Sequence, residues 1–257
     1  MGRYIAFLYG IVCYAIFFVT FLYLIGFLAN FMVPKGIDTG EAGPFGPSLA
    51  IDLGLIALFG LQHSIMARPG FKAAWAKIVP ASIERSTYVL LSSVVLIVMY
   101  AFWQPLPGIV WQAQAPWLVG LLWGVFAFGF GLVLISTFAI NHFDLFGLRQ
   151  VFLHLRQKPY TDLPFQVRFM YRFVRHPLYV GWFLAFWGTP SMTVGHLLFA
   201  IGMSGYIVIA VHYEERDLAK FLGQAYIDYQ RRVPKFIPSV TSVHEPVKAR
   251  AAAASRH

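Results

Sequence analysis

The 257-residue chain is 58% hydrophobic and only 12% charged, about half the charged share of a soluble domain. Its single cysteine, Cys13, excludes an internal disulfide framework and any multi-cysteine metal site. The net charge of +9 reads as the cytoplasmic bias of a membrane protein rather than as a nucleic-acid surface, so no nucleic-acid partner is expected.

Six apolar stretches follow in chain order: residues 5–32, 48–66, 87–103, 116–140, 178–189 and 192–212. A bilayer-spanning helix needs about 20 mostly apolar residues. The runs are continuous, whereas a barrel needs short alternating segments, so they predict helices. The first is too long, and lacks the small-residue cleavage site, for a signal peptide. The fifth is short. Only Pro190 and its neighbours separate it from the sixth, which predicts a tight helical hairpin. The expected fold is all-α, a polytopic membrane helical bundle of five to six transmembrane helices. It ends in a C-terminal helical hairpin and a cytoplasmic amphipathic helix. Residues 1–140 hold the first four helices; residues 141–257 hold a polar connector, the hairpin and the C-terminal region.

Of the 20 Lys and Arg residues, all but Lys35 fall on one side of this arrangement. Both termini are therefore expected in the cytoplasm of a bacterium, with the chain integral to the inner membrane and its chemistry at the cytoplasmic face. Gly129 and Gly131 lie within an apolar run without the third glycine of a dinucleotide fingerprint, and read as helix-packing positions. Asp52 is the one acid well inside an apolar run, either structural or facing the outer water. His154 and His196 read as interfacial, and Gln62-His63 stands near the cytoplasmic end of the second stretch.

The segment RHPLYVG, from Arg175 to Gly181, opens the fifth stretch. Proline is tolerated in the first turn of a helix, so Pro177 marks its start. The free N–H groups and dipole of that turn favour an anion. Two glutamates, Glu214 and Glu215, follow the sixth stretch. Pointing into hydrocarbon they would be costly. A hairpin returns the chain to where it entered, so they are expected beside Arg175 and His176. Opposite charges converging at one membrane mouth suggest a site.

RHPLYVG followed by EERDLAKFLGQAYIDYQRRVPKFIP resembles the isoprenylcysteine carboxyl methyltransferase-like membrane family over residues 175–238. The preceding NHFDLFGLRQ, residues 141–150, is similar to a segment of the bacterial branch that S-methylates methanethiol. The resemblance implies S-adenosylmethionine as cofactor, held without a Rossmann domain. It implies a cofactor pocket built from Arg175, His176, Pro177, Leu178, Tyr179 and Gly181, with Glu214, Glu215, Tyr226 and Tyr229. It implies a small volatile thiol as substrate and the lipid bilayer as surroundings; no metal is expected. A thiol must lose its proton before attack. His142 as base oriented by Asp144, with Arg149 stabilising the thiolate and Glu215 contributing, forms the candidate catalytic set; His63 is an alternative. The segment 141–149 could equally cap the fourth helix. A prenylcysteine carboxylate, lipid or other thiol acceptor stays open, as do a nicotinamide-using membrane reductase and a non-enzymatic component of nitrogen-oxide metabolism.

Overall fold

The computed structural model describes residues 2–239 except 162, 164–166 and 168. In chain order the first elements are α1 (Arg3–Ala29), α2 (Phe45–Ala67), α3 (Pro69–Trp75), α4 (Ala81–Phe102), β1 (Ile109–Gln112) and α5 (Pro116–Ile140). Then come α6 (His142–Leu145), α7 (Leu148–Leu155), α8 (Pro177–Trp187), β2 (Ser191–Thr193), α9 (Val194–Leu222) and α10 (Gln224–Arg232). Five helices, α1, α2, α4, α5 and α9, are long and apolar enough to cross a membrane. As few as 22% of the residues in their most apolar windows are buried. Water would not tolerate so much uncovered apolar side chain on helices this uniform, so their outer faces meet lipid.

α8 does not span. Its 11 residues reach about 16 Å at 1.5 Å per residue, against a hydrocarbon core of about 30 Å. Its end lies against the middle of α5, where a Cβ on Gly188 would come within 2.8 Å of the Phe126 amide nitrogen. The chain therefore leaves helical structure at membrane depth, where an unpaired backbone group is costly. Its carbonyls find donors. His196, fully buried, donates from Nε2 to Phe186 O at 3.0 Å. Trp111 Nε1 donates to Thr189 O at 3.1 Å, and Ala113 N to Pro190 O at 2.8 Å. β1 then pairs antiparallel with β2. This ribbon was not expected, because its residues alone carry no strand pattern; it exists to satisfy a broken span. His196 is corrected from an interfacial residue to a buried cap of α8.

Small residues set the helix contacts, as they do where lipid offers no hydrophobic drive for association. Gly129 and Gly181 face each other across α5 and α8. A Cβ on Gly129 would stand 2.5 Å from Ala185 N, and one on Gly181 would stand 2.7 Å from Gly129 O. Gly10 receives Val151 of α7 in the same way. Tyr100 Oη of α4 donates to Thr20 O of α1 at 3.2 Å. Asp52 is structural: it is fully buried and its Oδ1 accepts from Gln104 N at 2.8 Å, just past α4. Lys35, the one basic residue on its side, donates to Ala101 O at 2.7 Å and so caps the C-terminus of α4.

Three boundaries differ from expectation. α4 starts at Ala81 rather than residue 87, because its polar first turn reads as loop. α3 was not anticipated, being too short to show a period. The amphipathic helix is two pieces: α9 continues to Leu222, and Gly223 at φ 61° breaks the chain before α10.

Gly129→Ala should cost about 1–3 kcal/mol of stability from overpacking against α8. Gly131→Ala, where a Cβ meets nothing within 4 Å, should be neutral or slightly stabilising. Thermal unfolding of both variants in detergent checks the contrast.

Candidate active site

The N-terminal end of α8 and the C-terminal half of α9 meet at the end of the bundle that carries the basic residues. His176 precedes Pro177, which occupies the first helical position. Arg175 N donates to Pro234 O at 2.8 Å and His176 N to Lys235 O at 3.2 Å. The Arg-His-Pro and Val-Pro segments are thus hydrogen-bonded to each other. Glu215, 7% exposed, receives Arg175 Nε at 2.8 Å, His176 Nε2 at 2.9 Å and Lys235 Nζ at 3.0 Å. Arg175 Nη1 also donates to the carbonyls of Gln230 and Val233. A buried carboxylate is tolerable only with such partners.

Beside this knot lies a cavity of about 1120 Å³. α8 contributes Leu178 and Tyr179, preceded by Arg175 and His176; α9 contributes Glu214, Leu218 and Phe221; α10 contributes Tyr226 and Tyr229. Asn141, Asp144, Gln150 and His154 form part of the facing wall, with Lys72 and Arg85. Tyr179 Oη donates to Glu214 Oε2 at 2.9 Å. Burial and the nearby glutamates push the hydroxyls of Tyr171 and Tyr226 up, and burial pushes up Tyr229. All three stay protonated donors. Tyr229 Oη holds Tyr171 O at 2.7 Å.

The structure divides the expected cofactor set. Arg175, His176, Leu178, Tyr179, Glu214, Tyr226 and Tyr229 line the cavity. Pro177, Gly181 and Glu215 are not among the lining residues. Pro177 starts the helix, Gly181 packs on Gly129, and Glu215 is enclosed by its three donors. Gln150, Tyr171, Leu218 and Phe221 were missed. Leu218 and Phe221 follow Glu214 on one helix face, a spacing that could have found them. Gln150 lines the cavity, but its Oε1 is itself buried and has no hydrogen-bond partner among the described residues.

The expected catalytic set does not assemble as supposed. Thr137 Oγ1 donates its one proton to Leu134 O at 2.7 Å, so it accepts from His142 Nδ1 at 2.8 Å. His142 Nε2 then accepts from Tyr14 Oη at 2.7 Å. Both ring nitrogens are engaged, and the ring stacks on Phe138 with centroids 4.2 Å apart. Asp144 does not orient it. Asp144 pairs instead with Arg149 at 2.9 Å and accepts from Gln150 and Tyr160. Arg149 also donates to Thr161 O and Oγ1. His142 ties α1 to α5, and Asp144 with Arg149 braces the connector.

Residues 118–226 match the family model described as phospholipid methyltransferase, a span that contains all but the first two residues of α5 and the whole α8–α9 hairpin. A polytopic helical bundle with its cavity at the foot of that hairpin defines a membrane-embedded methyltransferase. The chain is 50% identical over 238 residues to a methanethiol S-methyltransferase of Mycobacterium tuberculosis, covering 93% of this chain and 98% of that protein. It is 47% identical over 242 residues to a methanethiol S-methyltransferase of Crocosphaera subtropica, covering 93% and 94%. It is 32% identical over 185 residues to nurim of Sus scrofa, covering 68% and 70%. The chain belongs to the methanethiol S-methyltransferase family of membrane methyltransferases, and the reductase and non-enzymatic alternatives fall. No solved structure matches it.

Burial holds the folded pKa of His142 below its ordinary 6.5, so the folded chain binds fewer protons there than the unfolded chain does. The stability His142 contributes is whole above pH 6.5 and is lost as pH falls through the folded value. The melting temperature should drop from neutral pH to about pH 5, and less steeply in His142→Gln. Glu215→Ala strands a buried arginine and should cost about 3–5 kcal/mol. Limited proteolysis should then cut readily within α10, which Arg175 no longer holds in place.

Proposed function

We propose that the protein transfers a methyl group from S-adenosylmethionine to methanethiol, giving dimethyl sulfide and S-adenosylhomocysteine. The observation that carries this reading is the cavity at the foot of the α8–α9 hairpin, in a chain that matches methanethiol S-methyltransferases almost end to end. The volume, about 1120 Å³, is ample against the roughly 300–1,000 Å³ of most ligand pockets. It suits a nucleoside cofactor together with a small thiol. The cofactor supplies the methyl group on a sulfonium cation.

The cavity chemistry fits that cofactor. Glu214 offers a carboxylate to an ammonium or to ribose hydroxyls. The first turn of α8 offers its positive dipole end to a carboxylate. Tyr171, Tyr179, Tyr226 and Tyr229 offer faces to an adenine and to a sulfonium. Methylation of a thiolate joins a cation and an anion into two neutral products, and a water-poor cavity does not oppose such a step. The uneven placing of Lys and Arg supports a cytoplasm-facing site with both termini on that side, in a bacterial inner membrane. Methanethiol is small and apolar enough to arrive through the bilayer.

Two measurements test the reading. Purified protein given methanethiol and S-adenosylmethionine should release dimethyl sulfide, detected by headspace gas chromatography. A methylated lipid amine or a prenylcysteine methyl ester, with no product from methanethiol, would replace the acceptor. Glu214→Gln loses one charge-assisted contact, about 1.5–3 kcal/mol, and should weaken cofactor binding on the order of 10- to 100-fold in calorimetry. Unchanged affinity would remove Glu214 from the cofactor site.

A further inference from the structure

The cavity has two chemically different walls. On one stand Glu214 of α9 and the tyrosines of α8 and α10. On the other stand Lys72 of α3 and Arg85 of the first turns of α4. Neither cation is neutralised. Lys72 Nζ has no hydrogen bond or ion pair among the described residues. Arg85 Nε donates to Leu145 O at 2.7 Å, and the guanidinium lies 5.2 Å over the Tyr88 ring. Its two terminal nitrogens have no partner among the described residues either. Burial and the charge of Arg85 hold the Lys72 ammonium below its ordinary value, so the two cations feel each other. Glu84 lines the cavity within electrostatic reach of Lys72, yet one carboxylate faces two cations. Asp144 is committed to Arg149, and Arg68 at the end of α2 to Asp217. His154, Lys158 and Tyr160 are the other titratable groups on this wall. Like charges held side by side at a cavity create a positive potential, and an anion is the occupant that relieves it.

Charge then sorts the two reactants. A sulfonium cation is repelled by Lys72 and Arg85 and attracted by Glu214, so the cofactor takes the α8–α10 side. The acceptor is left with the cationic side, where Ala76, Ala139 and Ile140 give a methyl group an apolar surface. Lys72 and Arg85 also precede residue 118, where the match to the phospholipid methyltransferase model begins. No histidine is presented as a base. His142 has both ring nitrogens engaged, and Nε2 of His176 is taken by Glu215. His63 is packed among Phe59, Tyr88 and Tyr206 and does not line the cavity. His154 lines it, but no hydrogen bond among the described residues orients its ring. A thiol needs no side-chain base where fixed cations stabilise its anion, because a neighbouring opposite charge favours the ionised form.

We infer that Lys72 and Arg85 form the acceptor site and hold the sulfur of methanethiol as its thiolate. This rests on the methanethiol reading above. The S–H bond breaks with its proton passing to solvent water. The sulfur pair so exposed forms the new S–C bond to the transferred methyl. The old C–S pair stays with the departing thioether, which becomes neutral.

The test compares Lys72→Met with the unaltered protein on two acceptors, methanethiol and the more acidic trifluoroethanethiol. Lys72 makes no side-chain hydrogen bond, so melting temperature should be nearly unchanged, and so should cofactor affinity in calorimetry. Methanethiol binds mainly protonated and ionises in the site. Its kcat at neutral pH should therefore fall about tenfold, the effect of one lost neighbouring charge, with KM little changed. The acidic limb of its kcat profile, which reports groups in the bound complex, should move to higher pH. Trifluoroethanethiol, assayed where it is already ionised in solution, should show the reverse: KM up about tenfold and kcat little changed. Lys72→Arg, which keeps the charge, should restore both acceptors. Equal falls in kcat on both thiols, or an acidic limb that stays in place in Lys72→Met, overturn the assignment. So does a limb that vanishes in His154→Gln, which would make His154 the base. A tenfold loss of cofactor affinity in Lys72→Met also overturns it, by placing the cation at the cofactor. If the unaltered protein binds cofactor yet methylates neither thiol, the acceptor reading itself has failed, and this inference with it.

Discussion

The structure depends on one buried carboxylate. Glu215 is where the chain before α8, the body of α9 and the segment after α10 are joined. No apolar contact could join them as specifically, because each donor needs that one acceptor. Arg175 carries the tie further, to the carbonyls at the end of α10. A terminal segment with few apolar residues is held against the bundle in this way, and its two tyrosines close one side of the cavity.

Glu214 and Glu215 divide their labour because of helical geometry. Successive residues on a helix point about 100° apart. One glutamate turns toward the arginine, histidine and lysine and becomes structural. Its neighbour turns toward the cavity and accepts from Tyr179. A pair of adjacent acids at the exit of a span is costly only if neither has this choice.

Much of this was legible in the residues. The apolar runs locate the long helices, and a hairpin that returns the chain to its point of entry places Glu215 beside Arg175 and His176. Gly129 was legible as a packing residue because no ligand motif surrounded it. Other features depend on partners distant in sequence. His142 reads as a base until Tyr14, 128 residues away, is seen to occupy its second nitrogen. His196 reads as interfacial because its polar ring masks the service it gives to the carbonyl of Phe186. Gln150 and Tyr171 belong to no pattern, and only the closing of the cavity makes them neighbours of the rest. The β1–β2 ribbon is legible only once α8 is known to stop halfway.

That halfway stop has a consequence for how the protein is made. A helix pair that crosses the bilayer fully can be inserted alone, since each helix satisfies its own backbone. The α8–α9 hairpin cannot. Its non-helical stretch needs the strand beside Trp111 and the groove at Gly129 to receive it. Both lie earlier in the chain, so synthesis from the N-terminus lays the receiving surface down first. The end of the molecule that holds the cavity is therefore the last to be completed, and it forms only on a scaffold that is already in the membrane.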